Sequence, residues 1–208
     1  ASGLVLGPLG YSHCCIEDVS IMRSIPGITV ISPADSGETV KAALASVNHS
    51  ESVYIRLTGG ANNPIVYEDD YKYEIGRAIT LREGKDITII AAGTMVYNSL
   101  KTAELLDKKG ISAKVINMHT IKPLDKEAVT KAAKTTKLLV TIEEHSVIGG
   151  LGSAVSQHLV TLKNSPSLEI IGLPDEYGGG GSYKDLLENH GLSEQKIAKK
   201  IEKRLISN

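Results

Sequence analysis

The sequence predicts an α/β protein built on mostly parallel sheets, and two observations carry that prediction. Short runs of branched apolar residues alternate with helical patterns along nearly the whole chain, which is typical of parallel strands joined by covering helices. The 208 residues include eight Tyr but no Phe and no Trp, so the core must consist of Ile, Leu, Val and Ala, as in sheets buried on both faces. With 41% hydrophobic and 23% charged residues, the composition excludes a disordered or fibrous chain.

The first 57 residues predict a short unit whose order is helix, strand, helix, strand. Glu17 and Asp18 occupy the first turn of the first helix, where the helix dipole favours carboxylates. Asp35 and Glu38 have the spacing of a capping box and begin the second helix. The predicted elements are a helix over 15–25, a strand over 28–31, a helix over 35–48 and a strand over 52–57. This order is the tail half of a sheet whose first strands are missing, consistent with a fragment or a processed piece.

A linker and a second unit follow. Residues 58–75 are rich in Gly, Asn and Asp and predict a connecting segment. Residues 76–208 predict a three-layer α/β/α domain, because four apolar strands alternate with amphipathic helices. The predicted strands cover 86–91, 114–117, 137–142 and 168–172.

Charge and hydropathy exclude two classes of partner. The net charge is −1, far from the basic footprint of a nucleic-acid-binding protein. No apolar run reaches the length of a membrane span, and no signal-peptide pattern opens the chain. The neighbouring Cys14 and Cys15 have poor geometry for a disulfide. We therefore expect a cytoplasmic protein that binds neither nucleic acid nor membrane.

His13 is the first candidate site residue. It ends the glycine-bearing segment 7–13 and comes just before a predicted helix, whose dipole favours a neutral imidazole able to accept or donate a proton near pH 7. On spacing alone, a surface-loop histidine with no ligand is the more common explanation of this pattern.

Arg56 is the second candidate. It ends a predicted strand, at the edge of an open sheet where α/β proteins bind ligands. Its planar guanidinium suits a phosphate group, since it donates two parallel hydrogen bonds. The alternative is an exposed charge near the end of a strand.

The segment 141–152 places Glu143, Glu144 and His145 before a glycine-rich turn. A phosphate on the following helix N-terminus is one interpretation, but Val155 stands where a dinucleotide fingerprint needs its third small residue. Adjacent side chains on a strand point apart, which argues against a metal. Close packing of strand and helix is the favoured explanation, and His119 is interpreted as a loop histidine.

Taken together, these segments resemble transketolases, which depend on thiamine diphosphate. Gly10-Tyr11-Ser12-His13, followed by Glu17-Asp18 and Arg23, resembles a characteristic stretch of that family. Further segments resemble it in the same order, namely 29–35, 115–125, 141–155, 171–175 and 186–192. The resemblance implies an incomplete parallel-sheet pyrimidine-binding unit over 1–57, a linker over 58–75 and the transketolase C-terminal domain over 76–208.

The resemblance also implies an activity and its residues. Transketolases move a two-carbon ketol unit between sugar phosphates; His13 would contact the donor sugar and assist proton transfer, and Arg56 would bind the substrate phosphate. The family's motifs for thiamine diphosphate and magnesium are absent from this sequence. We therefore expect a chain that is inactive alone, pairs with an N-terminal transketolase portion or subunit, and forms a homodimer.

Three positions depart from the family pattern. Leu9 stands where an Asp is usual, Ala1 where a phosphate-contacting His is usual, and Cys14 where a Gln is usual. A substrate hydroxyl left without its partner loses ~1–3 kcal/mol, which argues against an ordinary pentose phosphate as donor.

Two other interpretations stay open. The chain resembles relatives that make 1-deoxyxylulose 5-phosphate or act as the E1-beta part of 2-oxo acid dehydrogenases. It could also be a non-catalytic dimerisation or assembly module, because a sheet that lacks its first strands exposes unpaired backbone groups.

Overall fold

The computed structural model describes residues 1–58 and 63–206 and confirms the α/β class. Its helices are α1 (Asp18–Ser24), α2 (Ser36–Ser46), α3 (Met95–Asp107), α4 (Lys126–Thr135), α5 (Leu151–Leu159), α6 (Tyr183–Asn189) and α7 (Glu194–Ile206). Its strands are β1 (Ile28–Ile31), β2 (Ser52–Ile55), β3 (Ile79–Arg82), β4 (Ile87–Ala91), β5 (Ala113–Asn117), β6 (Thr120–Lys122), β7 (Leu138–Ser146) and β8 (Ser167–Leu173). None of the helices in these ranges is long and apolar enough to cross a bilayer.

The larger sheet has five strands in the order β3-β5-β4-β7-β8. All neighbouring pairs are parallel except β3 with β5. Along β4, Ile87 and Ile89 pack in one core with residues of α3 and α7, whereas Ile90 packs with residues of α4 and α5. This alternation covers the sheet with helices on both faces, as three layers require.

The caps of α2 and α4 follow from the sequence. Asp35 accepts a hydrogen bond from the Glu38 amide at 2.8 Å, and Asp125 accepts one from the Ala128 amide at 2.9 Å. Helix α1, by contrast, begins three residues later than the predicted start at residue 15. The backbone there is extended, because Cys15 donates to Ala1 O at 2.9 Å and accepts from Gly3 N at 2.7 Å.

The smaller sheet has three strands in the order β2-β1-β6 and connects the two predicted units. Strands β1 and β2 are parallel, and β6, from beyond the linker, pairs antiparallel with β1. His119 lies on the loop between β5 and β6, as interpreted from the sequence, but it is fully buried there. Its ring packs on Tyr73 at 4.4 Å between centroids, and its Nδ1 lies 2.9 Å from Thr120 Oγ1.

The described part of the predicted linker packs against α2. The amides of Val66 and Tyr67 donate to Asp35 Oδ2 at 2.8 and 3.2 Å. Residues 59–62 lie outside the described residues. Asp35 therefore caps its own helix with one carboxylate oxygen and anchors the following segment with the other.

The first unit fills the crevice where a doubly wound sheet ordinarily binds ligands. Because β5 and β7 lie on opposite sides of β4, the chain reverses direction across the sheet between β4 and β7. At that edge Gly93 donates to Ser32 O at 3.1 Å, and a Cβ on Gly93 would lie 2.7 Å from Ser32 Oγ. The amide of Leu4 donates to the Glu144 carboxylate at the same edge. The crevice is therefore a docking seam between the units.

Candidate active site

His13 lies exposed on the loop between a short 3-10 helix (Gly7–Leu9) and α1. The loop is ordered by its own backbone, since His13 N donates to Gly10 O at 3.0 Å and the N-terminal amine donates to His13 O at 3.1 Å. Gly10 adopts φ +73°, a conformation that favours glycine over other residues. The sequence thus presents His13 on a fixed turn.

Ser12 orients the imidazole of His13. Ser12 Oγ lies 2.9 Å from His13 Nδ1 and donates to Leu9 O at 3.3 Å. When the hydroxyl proton points to Leu9 O, Ser12 Oγ can accept from Nδ1, and in that tautomer the neutral ring has its lone pair on Nε2. The exposed Nε2 is then the atom that can take a proton from a ligand.

Arg56 lies fully inside the seam, directly after β2. Its Nε donates to Asp18 Oδ2 at 2.8 Å and its Nη2 to Asp18 Oδ1 at 3.1 Å, a bidentate ion pair in which both side chains are less than 10% exposed. Nη2 also donates to Glu144 O at 3.0 Å and to Cys15 O at 3.3 Å. Burial is the largest single effect and disfavours the charge, but the ion pair and hydrogen bonds with Asp18, together with the nearby charges of Glu144 and Glu143, raise the pKa of Arg56 overall.

Arg56 also lines a cavity at the ends of β1 and β2. The cavity has a volume of about 240 Å³, and Asp35, Thr58 and Asn63 are among its other lining residues. Arg56 reaches the His13 loop through the backbone carbonyl of Cys15. The two predicted site residues are therefore linked only through the backbone at Cys15: His13 is exposed on the loop and does not line the cavity, whereas Arg56 is buried and does.

Glu144 forms the centre of the seam. Its Oε2 accepts from Thr94 Oγ1 at 2.5 Å and from Tyr183 OH at 2.6 Å, while Oε1 accepts from the Leu4 amide. A Cβ on Gly3 would lie 2.3 Å from Glu144 Oε1, so only glycine fits there. Burial, followed by the nearby Glu144 charge, raises the pKa of Tyr183. One carboxylate thus joins the N-terminal segment, α3 and α6.

Glu143 explains the glycine-rich turn before α5. Its carboxylate accepts from the amides of Leu151 and Gly152 at 2.6 and 2.9 Å and occupies the helix N-terminus that a phosphate would need. A Cβ on Gly150 would lie 1.9 Å from Glu143 Oε2. Burial raises the pKa of Glu143 to about 7 against the opposing effect of the two amides. Close packing, rather than a phosphate site, is the role of this turn.

His145 completes that strand end without forming a metal site. Its Nδ1 donates to Ser146 O at 2.7 Å, and its Nε2 accepts from Ser20 N at 3.3 Å. Over residues 1–58 and 63–206, no group of three or more His, Cys, Asp or Glu side chains could hold a metal ion. The buried polar side chains of this region therefore join the units.

Comparison with known proteins gives the family. Residues 76–197 match the model of the transketolase C-terminal domain, and residues 2–63 match the model of the transketolase pyrimidine-binding domain. The chain belongs to the transketolase family. The resemblance found in the sequence is thereby confirmed, and so is the expectation that the chain corresponds to the C-terminal part of a transketolase-like enzyme.

The transketolase relatives are longer than this chain. It is 40% identical over 201 residues to one subunit of the apulose-4-phosphate transketolase of Phocaeicola vulgatus, covering 96% of this chain and 63% of the relative. It is 44% identical over 191 residues to a 6-deoxy-6-sulfo-D-fructose transketolase subunit of a Clostridium species, covering 91% and 58%. The chain therefore spans about three fifths of the length of these relatives.

A solved structure shows the same fold. A structure described as a split gene transketolase, inactive beta4 tetramer, has a TM-score of 0.83 and 38% sequence identity. The match covers 92% of this chain and 62% of that one.

Proposed function

We propose that the chain supplies the C-terminal part of an enzyme that transfers a two-carbon ketol unit between sugar phosphates. His13 is the observation that carries this proposal. It stands exposed on an ordered loop, with Nδ1 held by Ser12 and Nε2 left to act on a ligand. A residue so placed can bind a donor hydroxyl and take or return its proton.

The described residues do not form a site for the magnesium ion that accompanies thiamine diphosphate. They offer no cluster of three metal-ligating side chains, and the carboxylates of Glu143 and Glu144 are each engaged by protein donors. We therefore assign the magnesium ion and the diphosphate that it holds to an N-terminal transketolase portion or partner subunit and derive no step through them.

The partner is further supported by the outer face of the first unit. Strand β2 lies at the edge of its sheet, and α2 exposes the apolar side chains of Val40, Leu44 and the following Val47. An open strand edge beside an apolar helix face favours association. The proposed enzyme is homodimeric and cytoplasmic. The proposal also includes the division of this chain into two domains joined by a linker over residues 58–75.

The role of Arg56 stays a prediction. The cavity beside it supports a phosphate contact. Its bidentate pair with Asp18, however, already neutralises its charge and uses Nε and Nη2. A positioning role behind the His13 loop explains every contact that it makes.

The first test is His13→Ala in the complete enzyme, assembled with the N-terminal portion or subunit and loaded with thiamine diphosphate and magnesium. Loss of general acid–base assistance should lower kcat/KM for a ketose phosphate donor by about 10²–10⁴-fold. Cofactor affinity, measured by titration, should stay within about twofold, because His13 is assigned to the donor sugar and not to the cofactor.

The matched control is His49→Ala. His49 lies half-buried on the same unit, where its Nε2 is 2.9 Å from Thr29 Oγ1, away from the loop. Wild-type turnover in His13→Ala would remove His13 from the site. Turnover of pyruvate in place of a ketose donor would favour the deoxyxylulose phosphate or 2-oxo acid alternative. Sedimentation of the same preparation reads the oligomeric state.

A further inference from the structure

The segment between β8 and α6 reaches from the second unit to the loop that carries His13. Gly181 N donates to Gly7 O at 3.0 Å. A Cβ on Gly7 would lie 2.1 Å from Leu186 Cδ1 and 2.7 Å from Gly181 O. The backbones of the two units therefore meet at a distance that a larger residue at position 7 would prevent.

Tyr177 of this segment and His190, which follows α6, contact residues on both sides of His13 in the sequence. Before His13, the edge of the Tyr11 ring packs on Tyr177 at 5.5 Å between centroids, and Tyr11 OH lies 3.3 Å from His190 Nε2. After His13, Glu17 Oε1 accepts from Tyr177 OH at 3.0 Å. Tyr177 thus contacts the loop two residues before and four residues after His13.

We propose that this glycine clamp, formed by residues 177–181 with His190, is a positioning device that sets the orientation of His13 for the transfer reaction. The inference rests on the proposed role of His13 and adds to it a second set of residues, contributed by the C-terminal domain. The clamp contacts the loop at Gly7 and Tyr11 and contacts Glu17 beyond it, on either side of His13, so its residues act through the position of His13 and not on the substrate.

The four glycines of the clamp provide their own controls. None of Gly178, Gly179, Gly180 and Gly181 adopts a positive φ, so alanine is compatible with their backbone. A Cβ on Gly180 would lie 3.1 Å from Gly7 O, and one on Gly178 would lie 3.1 Å from His190 Nε2 and 3.3 Å from Tyr11 OH. A Cβ on Gly179 would meet nothing within 4 Å. Alanine at position 178 or 180 would therefore press on the loop or on its contacts, whereas alanine at position 179 would not.

The experiment compares Gly180→Ala with Gly179→Ala in the complete, cofactor-loaded enzyme. Displacing the loop by a few tenths of an ångström should lower kcat by about tenfold, since misplacement by about 1 Å can cost about 10²-fold. Donor KM should stay within about twofold, because an interaction made chiefly in the transition state is lost. Gly179→Ala should match the wild type in both constants.

A double-mutant cycle separates positioning from a general structural effect. If the clamp acts through His13, adding Gly180→Ala to His13→Ala should cause no further loss of kcat. His190→Gln, which keeps a polar group beside Tyr11, should retain most of the activity that His190→Ala loses. Should Gly180→Ala fail to fold, Gly178→Ala and the two His190 variants carry the same comparison.

Three outcomes overturn the inference: equal kcat for the Gly179 and Gly180 variants, additive losses in the cycle, or equal activity of the two His190 variants. If His13→Ala itself has no effect, the proposed function fails. That result is distinguishable, because it is measured without any clamp variant.

Discussion

The two predicted units, residues 1–57 and residues 76–206, differ greatly in how far each could stand alone. The second has a five-stranded sheet of its own, with helices on both faces. The first contributes two strands and borrows β6. Its buried side chains join cores that the second unit dominates: Leu4 and Ile16 pack in the core of α3 and α7, and Val30 packs in the core of α4 and α5. The unit that presents His13 therefore depends on the other for its order.

Buried polar contacts provide much of that dependence. In addition to the polar cluster around Glu144, a second buried cluster forms around Glu38. The two carboxylate oxygens of Glu38 accept from Asn117 Nδ2 at 2.9 and 3.0 Å. Tyr67 OH, from the linker, donates to the same carboxylate at 3.2 Å. Burial raises the pKa of Glu38 against these hydrogen bonds. A buried polar network is strongly destabilised when one of its partners is lost, so these contacts fix how the two units dock.

Arg56→Leu should have the largest effect on the stability of the junction between the two units. Removing one partner of a buried ion pair leaves the Asp18 carboxylate uncompensated and typically destabilises a protein by about 3–5 kcal/mol. The carbonyls of Glu144 and Cys15 lose their donor as well. Urea unfolding, followed by circular dichroism, measures the change.

The control for that prediction is Arg77→Leu, which removes the exposed pair of Arg77 with Glu127. Exposed pairs contribute little, so the loss should be much smaller. Equal stabilities for the two variants would contradict the positioning role of Arg56. Full stability of Arg56→Leu with weaker binding of the donor phosphate would favour the phosphate role instead.

His119 gives the junction a pH dependence. Burial lowers its pKa from 6.5 to about 4, so the unfolded chain binds a proton between these values that the folded chain does not. Stability should therefore fall as pH decreases from about 6.5 to about 4, by up to about 3 kcal/mol from this residue. His119→Gln should be less stable than the wild type at pH 7, with a shallower fall. Parallel curves of unfolding free energy against pH would show that His119 does not contribute.

The helices and strands were largely predictable because their signals are local. The caps Asp35 and Asp125 and the apolar runs of β1 and β4 place those elements within a few residues of the structure. The predicted strand over 137–142 continues to Ser146 as β7, although its last residues are polar. Partners from both units bury them: Glu143 lies under the turn before α5, and Glu144 contacts Thr94 and Tyr183 as well as Leu4. No local sequence pattern reports that.

The site was predictable only in part, for the same reason. His13 stands out beside its glycines, but nothing in the sequence pattern links it to Tyr177 and His190, which come from segments more than 160 residues further along the chain. Arg56 was recognised as a special residue, whereas its partner Asp18 was interpreted as favouring the helix dipole. Glu144, a charged residue at the end of an otherwise apolar strand, is the sequence feature that indicates a buried polar seam.

Native-state hydrogen exchange of the whole chain in increasing urea tests the dependence of the first unit most directly. The amides of β1 and β2 should lose protection before or together with those of β4 and β7, because the first unit has no core that survives the opening of the second. Because opening of the second unit also releases the first, Arg56→Leu should lower the opening free energies of β1 and β4 by similar amounts. Protection of β1 that persists after β4 has exchanged would contradict the account.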